Sequence, residues 1–295
     1  MSWQELILLG TIANALGAVS IRVLARDKQT AGAGFAMAAG YYVAIFVSRL
    51  LFLPLLGHVH TQVLGEYWWR FVGGGLAFAL TNFFTYKTLV YFEVAVANIV
   101  GSVNVIFAVV GSAVFLGENL SSQQFVGAAV LLPAIAYGVL ATHVVRKKSA
   151  QRSIKLGLSF ALLAGVTFAV AMVNEKSLLG HMSVASYVVF GVAGQLVMAM
   201  LSAVLLQRPQ LHLLLRSRVA GWNLLIGVLL GIGGLCFILT EVKSNNLALA
   251  AVISSCRLIV VVLLGAWLLK ERQRLRQKLT AAAVAIVGLG LIFWK

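Results

Sequence analysis

Charge, cysteine and proline are all scarce in this sequence of 295 residues: 11% of the side chains are charged, and there are 2 Cys and 3 Pro. Soluble domains carry about 25% charged residues, so the shortage excludes a soluble enzyme or a disordered tail. Cys236 and Cys256 both lie in apolar runs, which excludes a disulfide framework and a zinc site. Five histidines are scattered without ligand spacing, and neither a metal nor a cofactor is expected. Acid is scarcest: 8 Asp and Glu stand against 23 Lys and Arg, for a net charge of +15. Nucleic acid is met by exposed basic faces; a chain that is 61% hydrophobic, with mean hydropathy +0.98, has few to offer. The expected partners are therefore the lipid bilayer and a small molecule. Residues 6–24, the first apolar run, follow no basic segment and are long enough to span, so they read as a helix rather than a cleaved leader.

Long hydrophobic runs are what the chain has in abundance. A helix needs ~20 apolar residues to cross the hydrocarbon core. Ten such runs occur, near 5–24, 33–56, 67–86, 95–116, 122–143, 155–174, 183–206, 219–240, 248–269 and 279–294. Trp3, Tyr67, Trp68, Trp69, Trp222, Trp267 and Trp294 fall near their ends, where amphipathic rings prefer the headgroup level. The predicted fold is all-α and integral to the membrane, with ten transmembrane helices. One connection looks like a linker, the basic loop RKKSAQRSIK at 146–155, which separates a five-span unit at 1–145 from a second at 156–295. An odd number of spans per unit inverts the second relative to the first, as in secondary transporters.

The two units resemble each other in sequence. Gly75-Leu76-Ala77-Phe78-Ala79-Leu80-Thr81 is matched, 159 positions on, by Gly234-Leu235-Cys236-Phe237-Ile238-Leu239-Thr240. Phe115-Leu116-Gly117-Glu118 leading into Gln124 is matched, 153 positions on, by Leu268-Leu269-Lys270-Glu271 leading into Gln277. Gly17 and Asp27-Lys28 pair more weakly with Gly165 and Glu175-Lys176. Three matches in one order, in equivalent spans, predict an internal repeat.

FLGENLSSQQFVGAAVLLPAIAYGVL and its degenerate partner LLKERQRLRQKLTAAAVAIVGLGLIFW resemble the closing signature of the EamA repeat of the drug/metabolite transporter superfamily: an L-G-E turn, a Gln, then a small-residue helix. The resemblance implies ten spans in two inverted repeats and secondary transport, mostly export, of small metabolites. Where that family commonly has proline in the fourth and ninth spans, this chain has Asn104 and Arg257.

Sixteen Lys and Arg lie near the odd-numbered connections and four near the opposite side. The positive-inside rule then places the basic connecting loop in the cytoplasm and both termini outside. The family resemblance implies the reverse for the termini. Three cations fall within spans, Arg22, Arg49 and Arg257, and an arginine at a helix centre costs at least ~2.5 kcal/mol. Arg22 is placed to snorkel. Arg257 is the most central, beside Ser254, Ser255 and Cys256. No acid lies in mid-span. An arginine without an opposing carboxylate attracts an anion, or the carboxylate of a zwitterion, and the lack of a titratable group in the pathway argues against proton coupling unless Glu93 or Glu241 reaches inward. Glu118 and Glu271 are expected to close the ends of the spans that follow them.

Arg257, Asn104, Arg49, Asn14, Asn82, Ser255 and Tyr42 form the candidate substrate site, with Asn98, Thr81 and Thr240 as further polar positions and Tyr41, Phe78, Phe168 and Phe237 as apolar walls. Asn104 ranks high as the repeat mate of Arg257. For each neutral polar residue, helix-to-helix hydrogen bonding is the competing assignment. The leading functional expectation is a secondary transporter, and clustered sets of His, Asp or Glu that could bind metal or exchange protons are absent from the spans. A flippase for a lipid-linked anion and an integral-membrane enzyme remain the alternatives.

Overall fold

The computed structural model describes residues 2–116, 121–140, 148–243 and 256–293, and the regular structure among them is helical. The helices are α1 (Trp3–Arg26), α2 (Gly34–Leu50), α3 (Gln62–Tyr91), α4 (Val94–Gly101), α5 (Val103–Leu116), α6 (Ser122–Leu140), α7 (Lys148–Leu179), the single turn α8 (Val184–Ser186), α9 (Val192–Gln207), α10 (Ser217–Lys243), α11 (Arg257–Leu268) and α12 (Leu275–Phe293). Polar side chains set several of their starts. Ser2 and Glu5 exchange side-chain-to-backbone hydrogen bonds of 3.3 and 2.8 Å at the head of α1. Ser121 and Gln124 do the same, at 3.3 and 2.9 Å, at the head of α6. Each such box satisfies amides that an N-terminus leaves unpaired.

Seven described helical segments are long and apolar enough to cross a membrane, where the sequence reading counts ten crossings. Two more, Gly34–Leu50 and Arg257–Leu268, are apolar but shorter. Run 248–255, which the reading joins to Arg257, lies outside the described residues. α3 has 30 residues and continues through Lys87 to Tyr91, so the expected break after residue 86 is absent. The fourth run is broken instead at Ser102, which separates α4 from α5 and places Asn104 in the first turn after the break. From Lys148 onward the basic stretch expected as a loop is helical. Trp68, Trp69, Phe115 and Trp267 are all more than half exposed. Apolar surface on this scale is compatible with lipid rather than water, and the chain is an integral multi-pass membrane protein.

The principal contacts cross the division at 146–155. α1 packs along α10 and α3 along α7, while α2 packs on α10 and α9 on α3; α6 lies on α12, and α2 also meets α9. Exchanging α1 with α7, α2 with α9, and α3 with α10 maps the first pair of interfaces onto each other and likewise the second. The two glycines that share a sequence motif follow this pattern: a Cβ on Gly75 would collide with the carbonyl of Gly194 in α9, and one on Gly234 with the Arg49 guanidinium in α2. Small residues admit that approach.

Connections sort between two ends of the bundle. At one end Gln207 accepts from the Phe35 amide at 2.9 Å and donates to the Gly32 carbonyl at 2.9 Å, Arg216 pairs with Gln29, and Arg26 donates to the Leu269 carbonyl at 3.2 Å. This end gathers the segments after α1, α9 and α11. At the other end the His60 amide donates to Ser186 Oγ at 2.9 Å and Ser183 Oγ donates to the His58 carbonyl at 3.0 Å, joining the segments after α2 and α7.

Candidate functional site

Polar side chains converge between the two halves, where α2, α3, α7, α9 and α10 meet. Tyr41 and Tyr42 are adjacent on α2 and both are buried. Asn82 of α3 links them: its Oδ1 accepts from Tyr41 OH at 3.0 Å and its Nδ2 donates to Tyr42 OH at 2.7 Å. Two turns along α2, Arg49 is only 9% exposed. Its Nε donates to the Gly231 carbonyl at 3.3 Å, and its terminal nitrogens occupy the space that a side chain at Gly234 would fill. Those nitrogens have no acceptor among the described residues. A guanidinium has five N–H donors, and beyond the Nε bond four of them remain for a bound group.

An acid faces the same region. Glu175, near the end of α7, is 6% exposed, and Tyr187 donates to its Oε2 at 2.5 Å; Gln195 Nε2 in turn donates to Tyr187 OH at 3.2 Å. Tyr42 and Tyr187 both lie within electrostatic reach of Arg49 and Glu175. Tyr187 is brought inward by a π-helical segment, Tyr187–Gly191, between α8 and α9, a local widening that often marks functional sites. Gly191 leaves room for the tyrosine ring. A narrow cleft lined by Arg70, Gly74, Phe78, Asn174, Tyr187 and Gln195, among others, reaches this group. At its edge Arg70 and Asn174 exchange bonds of 3.2 and 3.1 Å.

Of the sequence-predicted site, the structure brings together Arg49, Tyr42 and Asn82. Asn14 of α1 packs against Gly233 of α10. Asn104 and Arg257 stand on helices with different neighbours: α5 packs chiefly on α7, whereas α11 packs on α1, α4 and α12. Arg257 opens the described part of its helix, is partly exposed, and has no hydrogen-bond or ion-pair partner among the described residues. Ser255, with Ser254 and Glu241's side chain, lies outside the described residues. Thr81 and Thr240 donate to carbonyls one turn back in their own helices, at 2.8 and 2.7 Å, and Thr81 also bonds Thr167 at 3.0 Å. Sequence reasoning missed Glu175, Tyr187 and Gln195. Glu175 looks like a span-end acid, and no residue pattern announces the π-segment that turns Tyr187 towards it.

A second buried group closes the basic end. Arg22 does not snorkel: its Nε pairs with Glu271 Oε1 at 3.1 Å, and its Nη1 also donates to the Leu89 carbonyl. Glu271 does not cap the helix that follows it. Its Oε2 accepts the Val94 amide at 2.9 Å and so caps α4 of the other half. Lys278, fully buried, pairs with Glu93 and donates to the Glu271 carbonyl at 3.2 Å. Glu118 lies outside the described residues. The Glu271 turn is made by left-handed backbone at Lys270 and Arg274, with φ of 58° and 47°.

Comparison with known proteins agrees with this architecture. No curated protein matches the chain. A solved crystal structure aligns over 98% of this chain and 98% of its own at 16% identity, with a TM-score of 0.63, a likeness of fold alone. Residues 1–139 match the model of the EamA-like transporter family. That match identifies the stretch 1–139 as EamA-like, of the drug/metabolite transporter superfamily, a family whose members are membrane transporters.

Proposed function

We propose that the protein is a secondary transporter that moves a small polar metabolite bearing an anionic group, by alternating rocking of two inverted halves around the Arg49 region. The observation that carries this reading is Arg49 itself: a buried guanidinium between the halves, held by one carbonyl, with its terminal nitrogens uncommitted. Planar, bidentate recognition of carboxylate or phosphate uses this donor set. Tyr42, within electrostatic reach of Arg49, and Asn82, bonded to Tyr42, would orient the rest of the solute. Arg257, Asn104, Asn14 and Ser255 remain proposed contacts at a later stage of passage.

The pairwise exchange of interfaces between the halves supports the inverted repeat, and the sorting of connections to two ends supports ten crossings. The basic end is assigned to the cytoplasm by its excess of Lys and Arg, and export is the direction that the family resemblance implies. The test is a thermal-shift screen of the purified protein with amino acids, organic acids and phosphorylated sugars. Stabilisation by solutes carrying carboxylate or phosphate is expected, with at least about tenfold weaker apparent affinity in Arg49→Gln, in line with loss of a charge-assisted hydrogen bond. Stabilisation by organic cations alone, or anion binding indifferent to Arg49, would reject the reading.

A further inference from the structure

Resting on the reading of the protein as an alternating-access carrier, we propose that the Arg22–Glu271 pair is a latch that closes the basic end and biases the empty carrier toward opening at the other end. The latch is built around the turn between α11 and α12. Both carboxylate oxygens of Glu271 bond elements of the first half: Oε1 accepts from Arg22 Nε of α1 at 3.1 Å, and Oε2 accepts from the Val94 amide at the head of α4 at 2.9 Å. Arg22 also donates to the Leu89 carbonyl near the end of α3, so one guanidinium fastens α1 both to α3 and to the turn. One helical turn further along α1, Arg26 donates to the Leu269 carbonyl at 3.2 Å. Lys278 of α12 pairs with Glu93 and donates to the Glu271 carbonyl at 3.2 Å, which fixes the turn against α4.

Charge makes this a contact that can be made and broken. The two ion pairs sum to zero, so the intact group leaves no net charge in the interior. The side chains of Arg22 and Glu271 are 11% and 6% exposed, and an ion in such a place is costly once its partner is gone. When α1 parts from the turn, water enters and hydrates both ions, and a pair in water contributes little. The ions therefore hold the end while it is dry and are accommodated once it is wet. An apolar contact of the same size would leave its surface in water on opening.

The sequence repeat does not duplicate this group. The match of Asp27-Lys28 with Glu175-Lys176, 148 positions on, sets Val170 at the position of Arg22. The match of Glu271 with Glu118, 153 positions back, sets Phe125 at the position of Lys278. Val170 and Phe125 are exposed apolar side chains on α7 and α6, and neither can form an ion pair. Two inverted halves of identical sequence would favour neither face of the membrane. A charged contact encoded at one end alone removes that equivalence and lowers the state in which this end is closed.

Distances between spin labels on the full-length protein in nanodiscs test this, with Cys236→Ala and Cys256→Ser removing the native thiols. One label pair, at Lys28 and Arg276, spans the latched end, and another, at His60 and His181, spans the opposite end; all four positions are exposed. In the empty wild type, short Lys28–Arg276 distances are expected to dominate. Arg22→Gln and Glu271→Gln, the latter retaining an acceptor for the Val94 amide, are each expected to raise the ratio of long to short distances at least about tenfold, as loss of a charge-assisted hydrogen bond implies. The His60–His181 distances should shorten in step. The double variant should go no further than the larger single effect, and Arg22→Lys, which keeps the cation, should return toward the wild type.

A lower unfolding midpoint in these variants with unchanged distances at both ends would show that the pair only supports the fold, and would overturn the latch. Equal opening at both ends would overturn it too. Because the distances are read without solute, the two readings fail separately. If carboxylates bind in an Arg49-dependent way while the distances stay fixed, the anion site stands and the latch falls. If the distances respond as expected and no carboxylate binds, the latch stands and the anion site falls.

Discussion

At the scale of single residues, Arg49 and Glu175 are buried between the halves, and two ion pairs, Arg22–Glu271 and Lys278–Glu93, lie at the basic end. The second pair is a matter of stability. Removing one member of a buried ionic group costs about 3–5 kcal/mol, because its partner is left charged and unmatched. Lys278→Met leaves Glu93 unpaired and the Glu271 carbonyl without a donor. Its expected effect is a large loss of thermal stability, read by the unfolding midpoint in detergent. Replacing Lys278 and Glu93 together with apolar residues should recover much of that loss. Equal loss in the single and double variants would show that the pair is not the source of the stability.

This scale also shows where residue patterns run out. That Arg49 lies in the interior could be read from the sequence, because it falls within an apolar run. That Arg22 is a structural ion-pair partner could not, since Glu271 lies 249 positions away. Glu175 is unremarkable in the sequence, because its bond from Tyr187 depends on a π-helical segment that no residue pattern announces.

At the scale of elements, apolar runs located the helices well and their interruptions poorly. Hydropathy is an average over a window, so it finds α1, α6 and α12 but not the break at Ser102 or the π-segment at Tyr187–Gly191, each produced by a few residues. The third run is drawn to end at residue 86, before Lys87, yet α3 carries both Asn82 and Lys87 in its interior. They are accommodated because Asn82 bonds Tyr41 and Tyr42, and Lys87 reaches the Ala31 carbonyl at 3.4 Å. Gly75 and Gly234, which the sequence pairs by one motif, both make close approaches across the bundle, to α9 and to α2. Side-chain pairing across that interface was not legible, because it depends on crossing angles that a repeat does not specify.

At the scale of the whole molecule, the +15 charge divides by place. Among the described residues most cations lie at the end that gathers the segments after α1, α9 and α11, and a small buried set lies inside. If that end is cytoplasmic, a single cysteine at Gln29 reacts with an impermeant maleimide only from the cytoplasmic side, and one at His60 only from outside. Both labels on one side would contradict the ten-crossing arrangement, and an exchange of sides would reverse the orientation. Because the main interfaces join one half to the other, rocking of the halves would remodel contacts of α2, α3, α9 and α10 around Arg49, as alternating access requires.

Solute counterflow in proteoliposomes tests the central claim most directly, using the radiolabelled carboxylates that stabilise the protein, with wild type and Arg49→Gln reconstituted in equal amounts. The account predicts saturable exchange by the wild type and at least about tenfold less by the variant. Undiminished exchange by Arg49→Gln would contradict it.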